Sequence, residues 1–142
     1  MSLAELKEER LLGLPVSREA EVLLCAASVR PAAERIDRLR ALLTQDLDWD
    51  WLREAAAHHC IESMLYWHLS RAGLDAVPEN ATAALKQSYA RVVQCNMLFV
   101  QELLHLVKLL SDASIPVVPY KGPLLASVLY EDLAQRQMWD LD

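Results

Sequence analysis

Apolar side chains recur at helical spacing along the first half of the chain, between cap and break residues. Ser17 predicts the start of a helix over residues 19–29, and Pro31 opens a second helix. Asp48 caps a third helix, and a fourth ends at Gly73, a residue suited to the left-handed position after a helix. The pattern therefore predicts four short helices before residue 75.

The longest apolar stripe follows Pro78, where residues 85–110 place apolar side chains at three- and four-residue steps. An unbroken helix of about thirty residues would be about 45 Å long. We expect the stripe to pack against neighbouring helices of the same domain, and it is also a candidate seam for a homodimer. Asn96 falls inside the stripe and needs a hydrogen-bond partner if it is buried.

The pattern changes after residue 113. An apolar run at 115–120 is followed by Gly122 and Pro123 and then by a second helical stretch, which predicts a strand, a tight turn and a helix. The start of that helix would present free backbone amides to a phosphate, with Lys121 beside them as a positive charge. Arg136 could add a bidentate phosphate contact.

The last residues of the chain carry two carboxylates, Asp140 and Asp142, separated by one apolar residue. In an extended segment both side chains leave the same face, with Cα atoms roughly 6.5 Å apart. Carboxylate oxygens suit Mg²⁺, which proteins commonly hold with one or two carboxylates together with substrate phosphates. The pair is therefore a candidate half of a metal-nucleotide site.

Together these motifs resemble one family, the uncharacterised bacterial nucleotidyltransferases of the DNA polymerase beta-like superfold. The resemblance extends from about Trp49 to the end of the chain, and its helical part is the less specific one. The signature is a hydrophobic strand, Lys-Gly, a helix, Tyr, Arg and finally Asp-hydrophobic-Asp. The matching positions are Lys121, Gly122, Tyr130, Arg136, Asp140 and Asp142.

The resemblance implies a metal-dependent transfer of a nucleoside monophosphate from a nucleoside triphosphate to an acceptor that the sequence does not identify. Asp140 and Asp142 would be the catalytic metal ligands for two Mg²⁺ ions. Lys121, the amides near Gly122 and Arg136 would bind the phosphates.

Two departures from the family pattern matter. Trp139 stands where the family usually has a small residue, which predicts crowding at the entry of the strand. The superfold also supplies a third carboxylate from a later strand, and this chain ends before such a strand. We therefore expect little or no transferase activity from this polypeptide alone.

The predicted fold class is mainly α. Residues 1–113 would form a helical domain, and residues 114–142 would begin an α/β nucleotidyltransferase domain with its opening strand-helix-strand, truncated before completion. A non-catalytic helical interaction module is the alternative, and a nucleotide-sensing module that binds without transfer is another.

Composition and charge limit the classes of partner that the chain is expected to bind. The chain has 142 residues, 54% of them hydrophobic, which suffices for a compact core. A formal net charge of −6 disfavours a nucleic-acid partner, which would require a basic face. The N-terminus lacks a signal-peptide pattern, and no uninterrupted apolar run approaches the roughly 18 residues of a membrane helix. We therefore expect a cytoplasmic protein without a membrane partner.

Other reactive side chains have simpler interpretations. His58 and His59 are adjacent, so on a helix they point about 100° apart and cannot share one ion. With His68, they are predicted to be surface or helix-end residues. The cysteines, at helical apolar positions, are predicted to be buried thiols: Cys25, Cys60 and Cys95. Three tryptophans are predicted to be core or interface anchors: Trp49, Trp51 and Trp67.

Overall fold

A computed structural model describes residues 16–28 and 32–141, and the regular structure in these ranges is helical. The mainly-α fold class is therefore confirmed. The helices are α1 (Arg18–Ala26), α2 (Ala32–Leu43), α3 (Trp49–His58), α4 (Glu62–Ala72), α5 (Glu79–Asp112) and α6 (Gly122–Leu129), and a short 3-10 helix (Leu133–Gln135) follows.

The predicted helix boundaries are set by local caps. The Ser17 hydroxyl accepts a hydrogen bond from the backbone N–H of Ala20 at 3.1 Å, and the Asp48 carboxylate accepts one from Trp51 at 3.0 Å. Gly73 ends α4 with a positive φ of 119°. These three predictions are confirmed, whereas Pro31 lies outside the described residues.

The core lies where α4 packs against α1, α2, α3 and the first half of α5. Its members are apolar side chains from these helices and their connections, in a cluster that extends along the chain as far as Leu85. The largest fully buried apolar residues are Val22, Leu39, Leu42, Leu52, Leu65, Leu69 and Leu85.

Helix α5 is packed along only half of its length. Its buried residues are Ala81, Leu85, Val92 and Asn96. Beyond them, large apolar side chains are exposed at Met97, Leu98, Leu104, Leu106 and Leu109. The predicted packing of the stripe is thus right before residue 97. From that residue on, Met97 and Leu104 are exposed, whereas the other predicted positions are only partly buried: Val100, Leu103, Val107 and Leu110. With 34 residues α5 is about 51 Å long, whereas its main partner α4, with 11 residues, covers only about 16 Å.

By length and composition α5 could also cross a membrane, and 11% of its most apolar 18-residue window is buried in the molecule. Polar residues interrupt its apolar side chains, so the sequence shows no uninterrupted apolar run in this helix. Core helices of soluble proteins can have the same length and composition.

The predicted strand-helix-strand is only partly present. Helix α6 forms where expected, but residues 115–120 and 137–141 form no strand in the described part of the chain. A strand requires a neighbouring strand to pair with, and none occurs among the described residues, where most of segment 115–120 is exposed. The two strands are therefore unconfirmed.

Several single-residue predictions need correction. Cys25 is buried, but Cys60 and Cys95 are exposed, because Cys60 lies just beyond α3 and Cys95 on an open face of α5. His68 is buried within α4, although His58 does end α3 as predicted. Among the tryptophans, Trp67 is buried and Trp49 packs against the core, whereas Trp51 is 44% exposed.

Candidate functional site

The turn before α6 has the geometry that the Lys-Gly pair predicts. Gly122 is buried and has a φ of +56°, a left-handed conformation that glycine adopts without strain. Pro123 lies in the first turn of α6, where its missing N–H is tolerated. Lys121 precedes the helix in an extended conformation, and its ammonium group, which can only donate hydrogen bonds, leaves the first amides uncapped.

The Lys121 side chain lies on the surface, at the edge of this turn. Its ammonium nitrogen is 5.3 Å from the centre of the Tyr120 ring, a cation-π distance. The side chain therefore keeps a positive charge near the start of α6, as the sequence predicts.

The C-terminal segment passes directly over the turn. A β-carbon at Gly122 would lie 3.9 Å from the carbonyl oxygen of Asp140 and 3.9 Å from a methyl carbon of Leu141. The structure thus brings Gly122 and Asp140 together across eighteen positions of sequence. The Asp140 side chain is exposed at this junction, while Asp142 lies outside the described residues.

Trp139, the residue before Asp140, is 71% exposed. Its indole therefore does not fill the space beside the turn, and the crowding predicted from its size does not occur. The backbone of Met138, one residue earlier, is fixed instead by a buried side chain.

Arg136 follows the short 3-10 helix and is partly buried. One terminal nitrogen of its guanidinium, Nη1, is buried without a hydrogen-bond partner among the described residues. A buried cationic donor without an acceptor is costly. The phosphate role of Arg136 stays a prediction, and this nitrogen is the donor of the guanidinium that lacks an acceptor among the described residues.

Three side chains of α4 and α5 hold the segment that carries Arg136. The Tyr89 hydroxyl donates to a carboxylate oxygen of Asp132 at 3.0 Å, and Ser63 donates to the carbonyl of Ala134. The amide nitrogen of Asn96 donates to the carbonyls of both Leu133 and Arg136, each at 2.8 Å. These contacts fix the loop to the helical core.

Asp132 organises the beginning of this loop. One carboxylate oxygen accepts the Tyr89 hydroxyl, and the other accepts the backbone N–H of Ala134 at 2.7 Å, which caps the 3-10 helix. Burial, together with the Asp132 carboxylate, raises the pKa of Tyr89 to about 12. The phenol therefore stays a hydrogen-bond donor throughout the neutral pH range.

The outer end of the same loop meets a basic cluster on α2 and α4. Glu131 lies 3.9 Å from the Arg35 guanidinium and 4.0 Å from that of Arg71, distances typical of loose ion pairs. Arg71 also stacks over the Trp67 ring at 4.0 Å. Burial, with the charges of Arg35 and Arg71, lowers the pKa of His68 to about 4.

An open groove of about 710 Å³ borders the candidate site. It runs between α5 and the C-terminal segment, and Leu141 forms one wall directly after Asp140. Its surface is mainly apolar, with an amide and a carboxylate among its lining residues: Cys95, Leu98, Phe99, Gln101, Glu102 and Leu141.

The fit of a metal ion depends on the oxygen ligands at this junction. Asp140 supplies an exposed carboxylate, the ligand type that Mg²⁺ prefers. Within residues 16–28 and 32–141, no three His, Cys, Asp or Glu side chains are grouped as a metal site would require. Of the two predicted metal ligands, the structure thus describes only Asp140, and Mg²⁺ binding stays a prediction.

The model of a family described as uncharacterised nucleotidyltransferase matches residues 45–142, more than half of the chain. The chain belongs to this nucleotidyltransferase family. The match confirms the resemblance and includes both the later helices and the Lys-Gly and Asp-x-Asp motifs. No curated protein and no solved structure matches the chain.

The turn, Arg136 and Asp140 were predicted from the sequence, but most of the side chains that anchor the loop around Arg136 were not. Ser63, Tyr89 and Asp132 carried no recognisable signal, because their partners are distant in sequence. Asn96 did carry one, since a polar residue within an apolar stripe requires a partner when buried.

Proposed function

We propose that this nucleotidyltransferase-family protein binds a nucleoside triphosphate at the junction of the Gly122 turn and Asp140, for metal-dependent transfer of its nucleoside monophosphate to an acceptor. The course of the C-terminal segment supports this proposal most directly, because a β-carbon at Gly122 would lie 3.9 Å from the backbone carbonyl oxygen of Asp140. The start of a helix, which attracts phosphate, is therefore close in the chain fold to a residue whose carboxylate can attract a metal ion.

Each residue has a defined role in the proposal. The first amides of α6 and the Lys121 ammonium bind phosphate oxygens, and the guanidinium of Arg136 neutralises their charge. Asp140 and Asp142 hold Mg²⁺. When bound, a pair of these ions supplies charge stabilisation to the attacking and leaving oxygens of an in-line displacement.

The proposal separates binding from transfer. The superfold that this sequence resembles uses a third carboxylate beside the Asp-x-Asp pair, and within residues 16–28 and 32–141 no three His, Cys, Asp or Glu side chains are grouped together. We therefore expect this chain to bind nucleotide but to release little pyrophosphate by itself. Magnesium-dependent pyrophosphate release by the purified chain, abolished in Asp140→Ala, would contradict this expectation.

Calorimetric titration with Mg-ATP and Mg-CTP tests the binding step. We expect millimolar or tighter dissociation constants, weakened about tenfold in Lys121→Ala or Arg136→Ala, because each loses a charge-assisted phosphate contact of about 1.4 kcal/mol. Arg53→Ala is the matched control, since Arg53 pairs with Asp50 on α3, a helix that carries none of the proposed binding residues. Equal affinity of all these variants, or no heat of binding at millimolar nucleotide, would refute the proposed site.

A second role is favoured by the exposed apolar face of α5. Large side chains at Met97, Leu98, Leu104 and Leu109 lie in solvent, and contiguous exposed apolar surface commonly marks an interaction site. We propose a homodimer through the 85–110 helix as this alternative. A monomeric mass by light scattering at high protein concentration, with no binding of an apolar dye, would rule it out.

A further inference from the structure

Asn96 occupies an unusual position in α5. It is 1% exposed and is the last buried residue before the helix becomes open to solvent. An apolar residue would continue the stripe and would avoid the desolvation cost of a buried amide. The amide must therefore make contacts that a leucine could not make.

Both donated hydrogen bonds of this amide go to the loop that carries Arg136. Its nitrogen lies 2.8 Å from the carbonyl of Leu133 and 2.8 Å from the carbonyl of Arg136. These two residues bracket the 3-10 turn, and the direct backbone bond between them is long, at 3.4 Å. The planar amide therefore holds the two ends of the turn at a fixed separation.

The other anchors act on earlier parts of the loop. Tyr89 binds the Asp132 side chain, and Ser63 binds the carbonyl of Ala134. Asn96 binds the backbone of Arg136 itself, from which the partly buried guanidinium extends. Its contact is thus the most direct link between the helical core and the proposed phosphate-binding side chain.

We propose that Asn96 is a positioning residue, which acts through Arg136 to hold the guanidinium where it meets the phosphates of the nucleotide. The inference rests on the proposed function and adds a specific link from α5 to that site. It makes the helical part of the chain a component of nucleotide recognition.

A double-mutant cycle distinguishes this role from a merely structural one. Asn96→Leu removes both donors at similar volume, and it is measured alone and combined with Arg136→Ala by calorimetric titration with Mg-ATP. We expect Asn96→Leu to weaken binding about tenfold in the wild type and less than twofold once Arg136 is absent, because coupled residues are not additive. Equal effects of Asn96→Leu in both backgrounds would overturn the proposal.

Tyr89→Phe is the matched control. It removes a hydrogen bond to the same loop but leaves the Arg136 carbonyl bound to Asn96. We expect it to change nucleotide affinity less than twofold. An affinity loss as large as that of Asn96→Leu would mean that general anchoring of the loop, and not Asn96, controls Arg136.

Asn96→Ser replaces Asn96→Leu in the same cycle if the latter does not fold, because its single hydroxyl keeps one donor. If the wild type binds no nucleotide, the proposed function fails, and hydrogen exchange then decides the positioning role. Asn96 variants should speed exchange of the hydrogen-bonded loop amides at residues 134–136 at least tenfold and leave α1–α4 unchanged. Unchanged exchange at residues 134–136 would refute positioning independently of nucleotide.

Discussion

The two halves of α5 have the same apolar periodicity but differ in how deeply their side chains are buried. Up to Asn96 the helix is packed by α4 and the C-terminal loop, and Leu85 is 1% exposed. From Met97 onward no residue of α5 is buried, and Leu104 is 65% exposed. The comparison shows that a stripe predicts a helix and its apolar face, whereas burial depends on which other elements reach that face.

The largest expected difference between the halves concerns leucine truncation. Leu85→Ala should lower the free energy of unfolding by about 2–5 kcal/mol, because it leaves a cavity in the core. Leu104→Ala should change it by less than about 0.5 kcal/mol, because the side chain already lies in solvent. Urea denaturation measures both, and similar costs at the two sites would show that the second half of α5 is packed in solution.

The stability of the packed helical core should also depend on pH through His68. Its pKa is lowered to about 4 in the folded protein, against about 6.5 in the unfolded chain. The unfolded state therefore binds a proton that the folded state excludes, so stability is lost as the pH falls from about 6.5 toward 4. The decrease in the free energy of unfolding should approach about 3 kcal/mol at the acid end of this range.

Denaturation of His68→Gln across the same pH range isolates this contribution. The difference in unfolding free energy between wild type and variant should vary with pH between 6.5 and 4. His59→Gln is the control, because His59 is exposed at the end of α3, and it should keep the wild-type slope. A pH-independent difference for His68→Gln would contradict its burial as a neutral side chain.

A smaller change in the free energy of unfolding is expected where α5 contacts the loop that carries Arg136. Tyr89→Phe removes the hydrogen bond to the Asp132 carboxylate and should lower the free energy of unfolding by about 1–2 kcal/mol, since the acceptor is charged. Tyr66→Phe, in the ring that packs against Tyr89 at 5.2 Å, should cost less than about 0.5 kcal/mol. Thermal unfolding compares the two, and equal costs would exclude a specific role for the Tyr89 hydroxyl.

A small stability change is also expected from a double substitution in the open half of α5. Leu104→Lys combined with Leu109→Lys should alter the unfolding free energy by less than about 1 kcal/mol, because both side chains are more than half exposed. The same change should reduce binding of an apolar dye and any self-association. Unchanged dye fluorescence would place the exposed apolar surface elsewhere, for example on α6.

The sequence predicted those features that depend on neighbouring residues. Ser17, Asp48 and Gly73 mark helix ends because caps act within one turn, and Gly122 marks a turn because its φ is positive. The family signature then placed Asp140 beside that turn, and the structure agrees with this approach.

The predictions that are unconfirmed or wrong depended on distant chain segments. The strands at 115–120 and 137–141 required a partner strand, and periodicity could not tell whether one was adjacent. The exposure of Cys95 and Met97 likewise depends on how far α4 extends along α5. The anchors Ser63 and Tyr89 are ordinary helix residues in sequence, and only the folded chain brings them to the loop.

The exposure of Trp139 gives the candidate site its own optical reporter. The indole lies next to Asp140 and is 71% in water, whereas Trp67 is buried within the helical part. A ligand that enters beside Asp140 should shift or quench the emission of Trp139, and Trp139→Phe should abolish that signal. Occupancy of the junction can thus be followed by intrinsic fluorescence, without a label and without turnover.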